Sequence, residues 1–120
     1  MNISELLGKT ITAIDGASKG SGEIRFACAD GNAYRLYHSQ SCCESVTVAD
    51  VTGDVSDLVG NPILRAEKRT NQTDKPSEWS DSFTWTFYEL ATIKGSVTLR
   101  WLGESNGYYS ESVDFEKVEQ

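Results

Sequence analysis

The chain has 120 residues, 24% charged and 38% hydrophobic, with a formal net charge of −7. That length fits a single domain over residues 1–120, able to bury a core without disulfide or metal staples. The acidic balance argues against a broad non-specific nucleic-acid face, and no apolar run approaches the roughly 20 residues of a membrane helix.

The N-terminus, "MNISELLGKT", carries an acid and lacks a basic leader region, so the expected compartment is the cytoplasm. Within it, "NISELLGKT" predicts a short helix capped by Asn2 or Ser4, packed through Leu6 and Leu7 and ended by Gly8. "TITAIDG" alternates and closes on Asp15-Gly16, as a strand does. "ASKGSG" (Ala17 to Gly22) is a flexible glycine-rich loop, able to close over a ligand, that enters a strand rather than a helix, unlike a P-loop. "EIRFACADGNAYRLYH" is the clearest hairpin. Ile24, Phe26 and Cys28 share a face, Asp30-Gly31 turns, and Tyr34, Leu36 and His38 alternate on the return. "ESVTVADVTG" sets Val46 and Val48 on one side of a strand. "DVSDLVGNP" reads as one helical turn capped by Asp54 and stopped by Gly60. "ILRAEKRT" reads as an exposed strand of alternating charge.

The polar stretch "NQTDKPSEWSDS", with Pro76 and an exposed Trp79, is a loop too short to link domains. "FTWTFYELATIK" places Phe83, Trp85 and Phe87 at period two. Lys94-Gly95 turns the chain into "SVTLRWLGE", with Val97, Leu99 and Trp101 on one face and Thr98, Arg100 and Leu102 on the other. "SNG" makes a turn and "YYSESVDFEKVE" is the last strand. The sum is about eight short strands and one or two small helices: an α+β fold dominated by antiparallel sheet. The absence of a βαβ rhythm argues against a doubly wound dinucleotide fold.

The segment "YHSQSCCESV" draws attention to chemistry, because it joins the only histidine, His38, to adjacent cysteines Cys42 and Cys43. A structural zinc site needs four N/S ligands, and this segment supplies three; Cys28 would have to be the fourth. Neighbouring residues of an extended chain point to opposite faces, so one cysteine is expected toward the core and the other toward an edge. An odd cysteine count, and the strained ring that a bridge between neighbours requires, predict reduced thiols. A Cys/His nucleophile with Glu44 or Asp50 orienting the base is the enzymatic alternative, but nothing marks a nucleophile elbow. No catalytic residue, metal or cofactor is therefore assigned.

Binding chemistry is better represented. Arg100 sits mid-strand among aromatics, where a guanidinium can stack on a base and pair with phosphate. Arg25 is a second strand arginine, on the face away from Ile24 and Phe26. "GESNGYYSES" gathers Asn106, Tyr108 and Tyr109 at a turn, a composition suited to a binding loop.

The segments "SCCESVTVADVTGDVSDLVGNPIL" and "FTWTFYELATIKGSVTLRWLGESNGYYSESVDF" resemble a family of small phage and prophage proteins of unknown function. That group is similar in turn to phage Thoeris anti-defence proteins. The resemblance implies a β-rich, non-enzymatic sponge that sequesters a cyclic ADP-ribose-type immune signal, with cyclic oligonucleotides as further ligands. It implies a homo-oligomer built from dimers, acting in the cytoplasm of the host bacterium, with no long nucleic acid or membrane as partner. Ligand sites in such sponges use arginines, an aromatic and an asparagine or threonine; Arg100, Arg25, Phe83, Thr98 and Asn106 are the matching types here. The alternative is an acidic inhibitor that binds a protein of a host defence complex, in the manner of an anti-CRISPR.

Overall fold

The computed structural model describes residues 1–78 and 81–118. Its strands are β1 (Ile11–Asp15), β2 (Glu23–Cys28), β3 (Ala33–Tyr37), β4 (Ser45–Thr52), β5 (Arg65–Asn71), β6 (Ser82–Thr92), β7 (Gly95–Ser105) and β8 (Asp114–Val118). They form two four-stranded antiparallel sheets, ordered β1-β2-β3-β8 and β4-β7-β6-β5.

Alternation decides which side of each strand meets the core. From the first sheet come Ile24, Phe26, Tyr34, Leu36 and Phe115; from the second come Val46, Val48, Tyr88, Leu90, Val97, Leu99 and Trp101. All belong to one hydrophobic cluster, so the two sheets share a core. The side assignments made for the β2–β3 hairpin, β4 and β7 hold. At the hairpin, Gly31 adopts φ +86°, a left-handed conformation that glycine adopts without steric cost.

The fold is mostly β rather than α+β. The expected helices are single 3₁₀ turns, Ile3–Leu6 and Val55–Leu58, and no α-helix occurs among the described residues. Each turn is capped as read: Asn2 accepts from the Ser4 amide at 3.0 Å and Asp54 from the Ser56 amide at 3.0 Å. Four residues are too few to offset the cost of nucleating an α-helix, which leaves the tighter turn. Leu6 is buried, but Leu7 points outward.

Two further readings change. The last strand begins at Asp114, not at Tyr108. Between them, side chains occupy backbone amides: Ser105 Oγ accepts from Gly107, Asn106 Oδ1 from Tyr108 and Ser110 Oγ from Ser112. Such local bonds compete with a sheet ladder. The glycine-rich loop is also not free, because the Gly20 amide donates to the Val48 carbonyl and the Val48 amide to Ser21. Trp79 lies outside the described residues. Among those described, no helix is long and apolar enough to cross a membrane.

Candidate functional site

The outward side of the second sheet carries an aromatic ladder. On β6, Thr86, Tyr88, Leu90 and Thr92 turn inward, which leaves Phe83, Trp85 and Phe87 half-buried on the opposite side. Register fixes their neighbours on β7: Phe83 faces Glu104, Trp85 faces Leu102, and Phe87 faces Arg100. On β5, Arg69 lies across from Phe87 and Asn71 from Trp85. On β4, a bulge between Val48 and Asp50 brings Asp50 opposite Arg100.

Arg100 is the distinctive group. Its guanidinium lies 4.9 Å from the Trp85 ring centroid. Its Nε is buried and meets no hydrogen-bond acceptor among the described residues. No carboxylate among them lies within ion-pair distance of it, although Asp50 is its register partner. A buried donor left unmet is costly, as it also is for Trp101 Nε1 in the core, and it is the rest of the half-buried guanidinium that can meet an acceptor supplied from outside. Trp85 is held in place by its indole N–H, which donates to the Asp74 carbonyl at 2.7 Å. Asn71 braces that loop, accepting from the Thr73 and Asp74 amides. Arg69 completes the patch, 5.7 Å from the Phe87 centroid and 4.0 Å from Glu89.

Of the residues named from sequence, Phe83, Thr98 and Arg100 share this face; Thr98 lies opposite Glu89 and Thr52. Asn106 and Tyr109 stand at the end of the same sheet. They line a depression of about 350 Å³ with Cys43, Ser45 and Glu104. Tyr108 projects outward, 87% exposed. Arg25 does not join them. It lies on the outward side of the other sheet, beside Glu23 at 3.4 Å. Trp85, Phe87 and Arg69 were not singled out as site residues. The period-two aromatics carried the signal, but strand pairing was needed to place Arg100 against them.

The segment around the cysteines is a structural knot. His38 and Glu44 have side chains 3% and 0% exposed and meet at 2.8 Å through Nε2 and Oε2. His38 Nδ1 is 2.7 Å from the Ser112 carbonyl. Glu44 also accepts from the Ser41 and Cys42 amides and from the Gln40 side chain. Two acceptors around one imidazole require both ring nitrogens to donate, which makes His38 an imidazolium. Burial opposes that charge, but the Glu44 and Ser112 bonds outweigh it and raise the His38 pKa. The His38 bond, aided by the backbone amides against burial, lowers the Glu44 pKa to about 2. With both nitrogens engaged, the geometry does not reproduce the Cys/His nucleophile considered from sequence. The expectations for the cysteines also change: Cys42 and Cys43 are joined by a disulfide, and both residues are exposed. The tight loop that wraps Glu44 turns neighbouring side chains to the same side, which an extended strand would not. Cys28 is free and buried. Among the described residues no cluster of His, Cys, Asp and Glu could hold a metal ion.

The match to known families covers almost all of this framework, residues 4–115. The chain belongs to the DUF7448 family. DUF7448 is a domain of unknown function. Comparison with curated proteins and with solved structures found no match. The DUF7448 match runs from the first 3₁₀ turn into β8 and so includes the aromatic face, the His38–Glu44 knot and the 105–112 turn.

Proposed function

We propose that this DUF7448 protein is a non-catalytic binding protein whose outer β6–β7 face takes a small phosphorylated nucleotide. The observation that carries the reading is Arg100, stacked on Trp85 with a buried, unmet Nε and no carboxylate partner among the described residues. An aromatic ladder offers a nucleobase a stacking surface, and the adjacent guanidinium offers phosphate oxygens charge-assisted bonds. The resemblance set out from sequence narrows the ligand to a cyclic ADP-ribose-type immune signal and the role to sequestration in a bacterial host. A sponge needs stoichiometry and slow release rather than a general base. The face is open, so a second copy of the chain laid against it supports ligand enclosure, in keeping with an oligomer built from dimers.

The test is retention. The protein is incubated with cyclic ADP-ribose isomers, washed and heat-denatured, and the released ligand is weighed by mass spectrometry. Unchanged ligand at stoichiometric yield is expected; a hydrolysed product or no retention overturns the reading. Native mass with and without ligand reports assembly. A second reading is a protein-binding inhibitor, favoured by the same aromatic and arginine anchors, which are enriched at protein interfaces. Failure to retain any nucleotide, with a stable complex to a host defence protein, selects it.

A further inference from the structure

The inner side of β5 and β6 departs from the core chemistry around it. Towards one end of the sheet, the inward positions change from Tyr88 and Leu90 to Thr86 and Thr84. Across from them run Lys68, Thr70 and, just beyond β5, Gln72. The 109–112 segment forms the opposite wall, so that a cleft of about 310 Å³ opens between the two. That volume is near the lower end of the range of about 300–1,000 Å³ for small-molecule sites.

Polar groups in this cleft are ordered rather than incidental. Glu111 is only 9% exposed and has no cation within ion-pair distance among the described residues. Its carboxylate instead accepts from Thr84 Oγ1 at 2.8 Å and from Ser105 Oγ at 2.5 Å. Burial disfavours its charge, and the hydroxyls of Ser105, Ser82 and Thr84 more than offset this, so its pKa is lowered. Gln72 Nε2 donates to Thr84 Oγ1 at 3.1 Å, which gives the chain Gln72–Thr84–Glu111 a fixed direction. Glu111 reaches this position because residue 103 is glycine: a Cβ there would lie 2.5 Å from the Glu111 carbonyl oxygen. Thr86 is 1% exposed, in a place where valine has the same shape without a hydroxyl to desolvate.

A cleft with this lining gathers acceptors from Glu111 and the oriented hydroxyls, and donors from Lys68 and Gln72, around a space of about 310 Å³. Tyr109 adds an aromatic wall. Ligands that both donate and accept at several neighbouring positions are polyols. We propose that this inner cleft binds a neutral sugar ring. The site lies on the opposite side of β6 from Trp85 and Arg100, so it stands independently of the nucleotide reading.

The test is titration of the full chain with D-ribose and with D-glucose, followed by amide NMR. A small open cleft that offers a neutral ligand a handful of hydrogen bonds is expected to bind with a Kd of about 1 mM. Saturable shifts confined to Thr84, Thr86 and the 110–112 segment are expected with at least one of the two sugars. Thr86→Val and Lys68→Ala keep the native spectrum; Thr86→Val weakens the sugar about fivefold, the effect of one neutral hydrogen bond, and Lys68→Ala about tenfold or more, the effect of a charge-assisted one. Arg100→Ala leaves the sugar shifts intact, which separates this site from the outer face. The proposal is overturned if neither sugar shifts these amides, if the shifts fall elsewhere, or if both cleft variants bind like the parent.

Discussion

The two outward sheet faces are built alike and finished differently. On the first sheet, Arg35 lies between Glu23 and Glu116, donating to them at 3.2 and 2.6 Å, and stacks 3.8 Å from the Tyr37 centroid. Tyr37 donates to the second Glu116 oxygen at 2.9 Å. Arg25 pairs with Glu23. Each of these cations already has a partner on its own face. On the second sheet, Arg100 has an aromatic beneath it and no carboxylate within ion-pair distance among the described residues. The contrast distinguishes an arginine that completes a surface from one that leaves an acceptor to be supplied. Residue type alone ranks Arg25 and Arg100 equally; partners separate them.

Adjacent residues on β7 provide the sharpest way to break that comparison. Trp101 is fully buried, and Trp101→Ala should cost about 3–5 kcal/mol of stability, read as a shifted denaturant midpoint. Arg100→Ala should leave that midpoint nearly unchanged. It should weaken cyclic ADP-ribose binding about 10- to 100-fold by calorimetry, as expected for a lost charge-assisted contact. If the nucleotide binds Arg100→Ala as tightly as the parent, the outer face is not its site. Trp85→Ala tests the stacking half of the same claim, with about a tenfold loss expected.

The pH dependence tests how firmly the two sheets are joined, because His38 follows β3 and Glu44 precedes β4. His38 has a raised folded pKa, so its contribution is complete below its ordinary value of 6.5 and is lost as pH rises through the folded value. Glu44 is depressed, so its contribution is present above 4.5 and is lost as pH falls through about 2. Stability should therefore decline on the alkaline side above neutrality. His38→Gln should flatten that limb; an unchanged slope in urea titrations across pH would remove His38 as its source. The smallest effect belongs to the first face. Arg35→Ala breaks only partly exposed pairs and should move Tm by a few degrees at most, without altering nucleotide binding.

Much of this architecture was legible from sequence because period-two patterning has a direct physical meaning. Ile24, Phe26, Leu36, Val97, Leu99 and Trp101 are inward, as alternation requires. What escaped the reading depends on contacts distant in sequence or on local competition. The register that sets Phe87 against Arg100 comes from strand pairing, not from either strand alone. Hydroxyls and amides of residues 105–112 captured backbone donors and delayed β8. Glu44 was one of two acids that could orient His38, but its hold on the Ser41 and Cys42 amides comes from the loop folding back on it. Likewise the inward threonines of β6 became a cleft only once the 109–112 segment stood across from them.

The two hydrogen bonds between Val48 and the Gly20–Ser21 loop have a consequence for how copies of this chain can meet. Val48 lies on an outermost strand of the second sheet, where bare backbone groups invite strand-by-strand growth between molecules. The loop fills those groups, while the opposite border, β5, is studded with Arg65, Glu67, Lys68 and Arg69. Lateral extension of this sheet into an open-ended ribbon is thus discouraged at both of its margins, which leaves its broad outer side for contact between copies. Such contacts can close on themselves at a finite number of subunits.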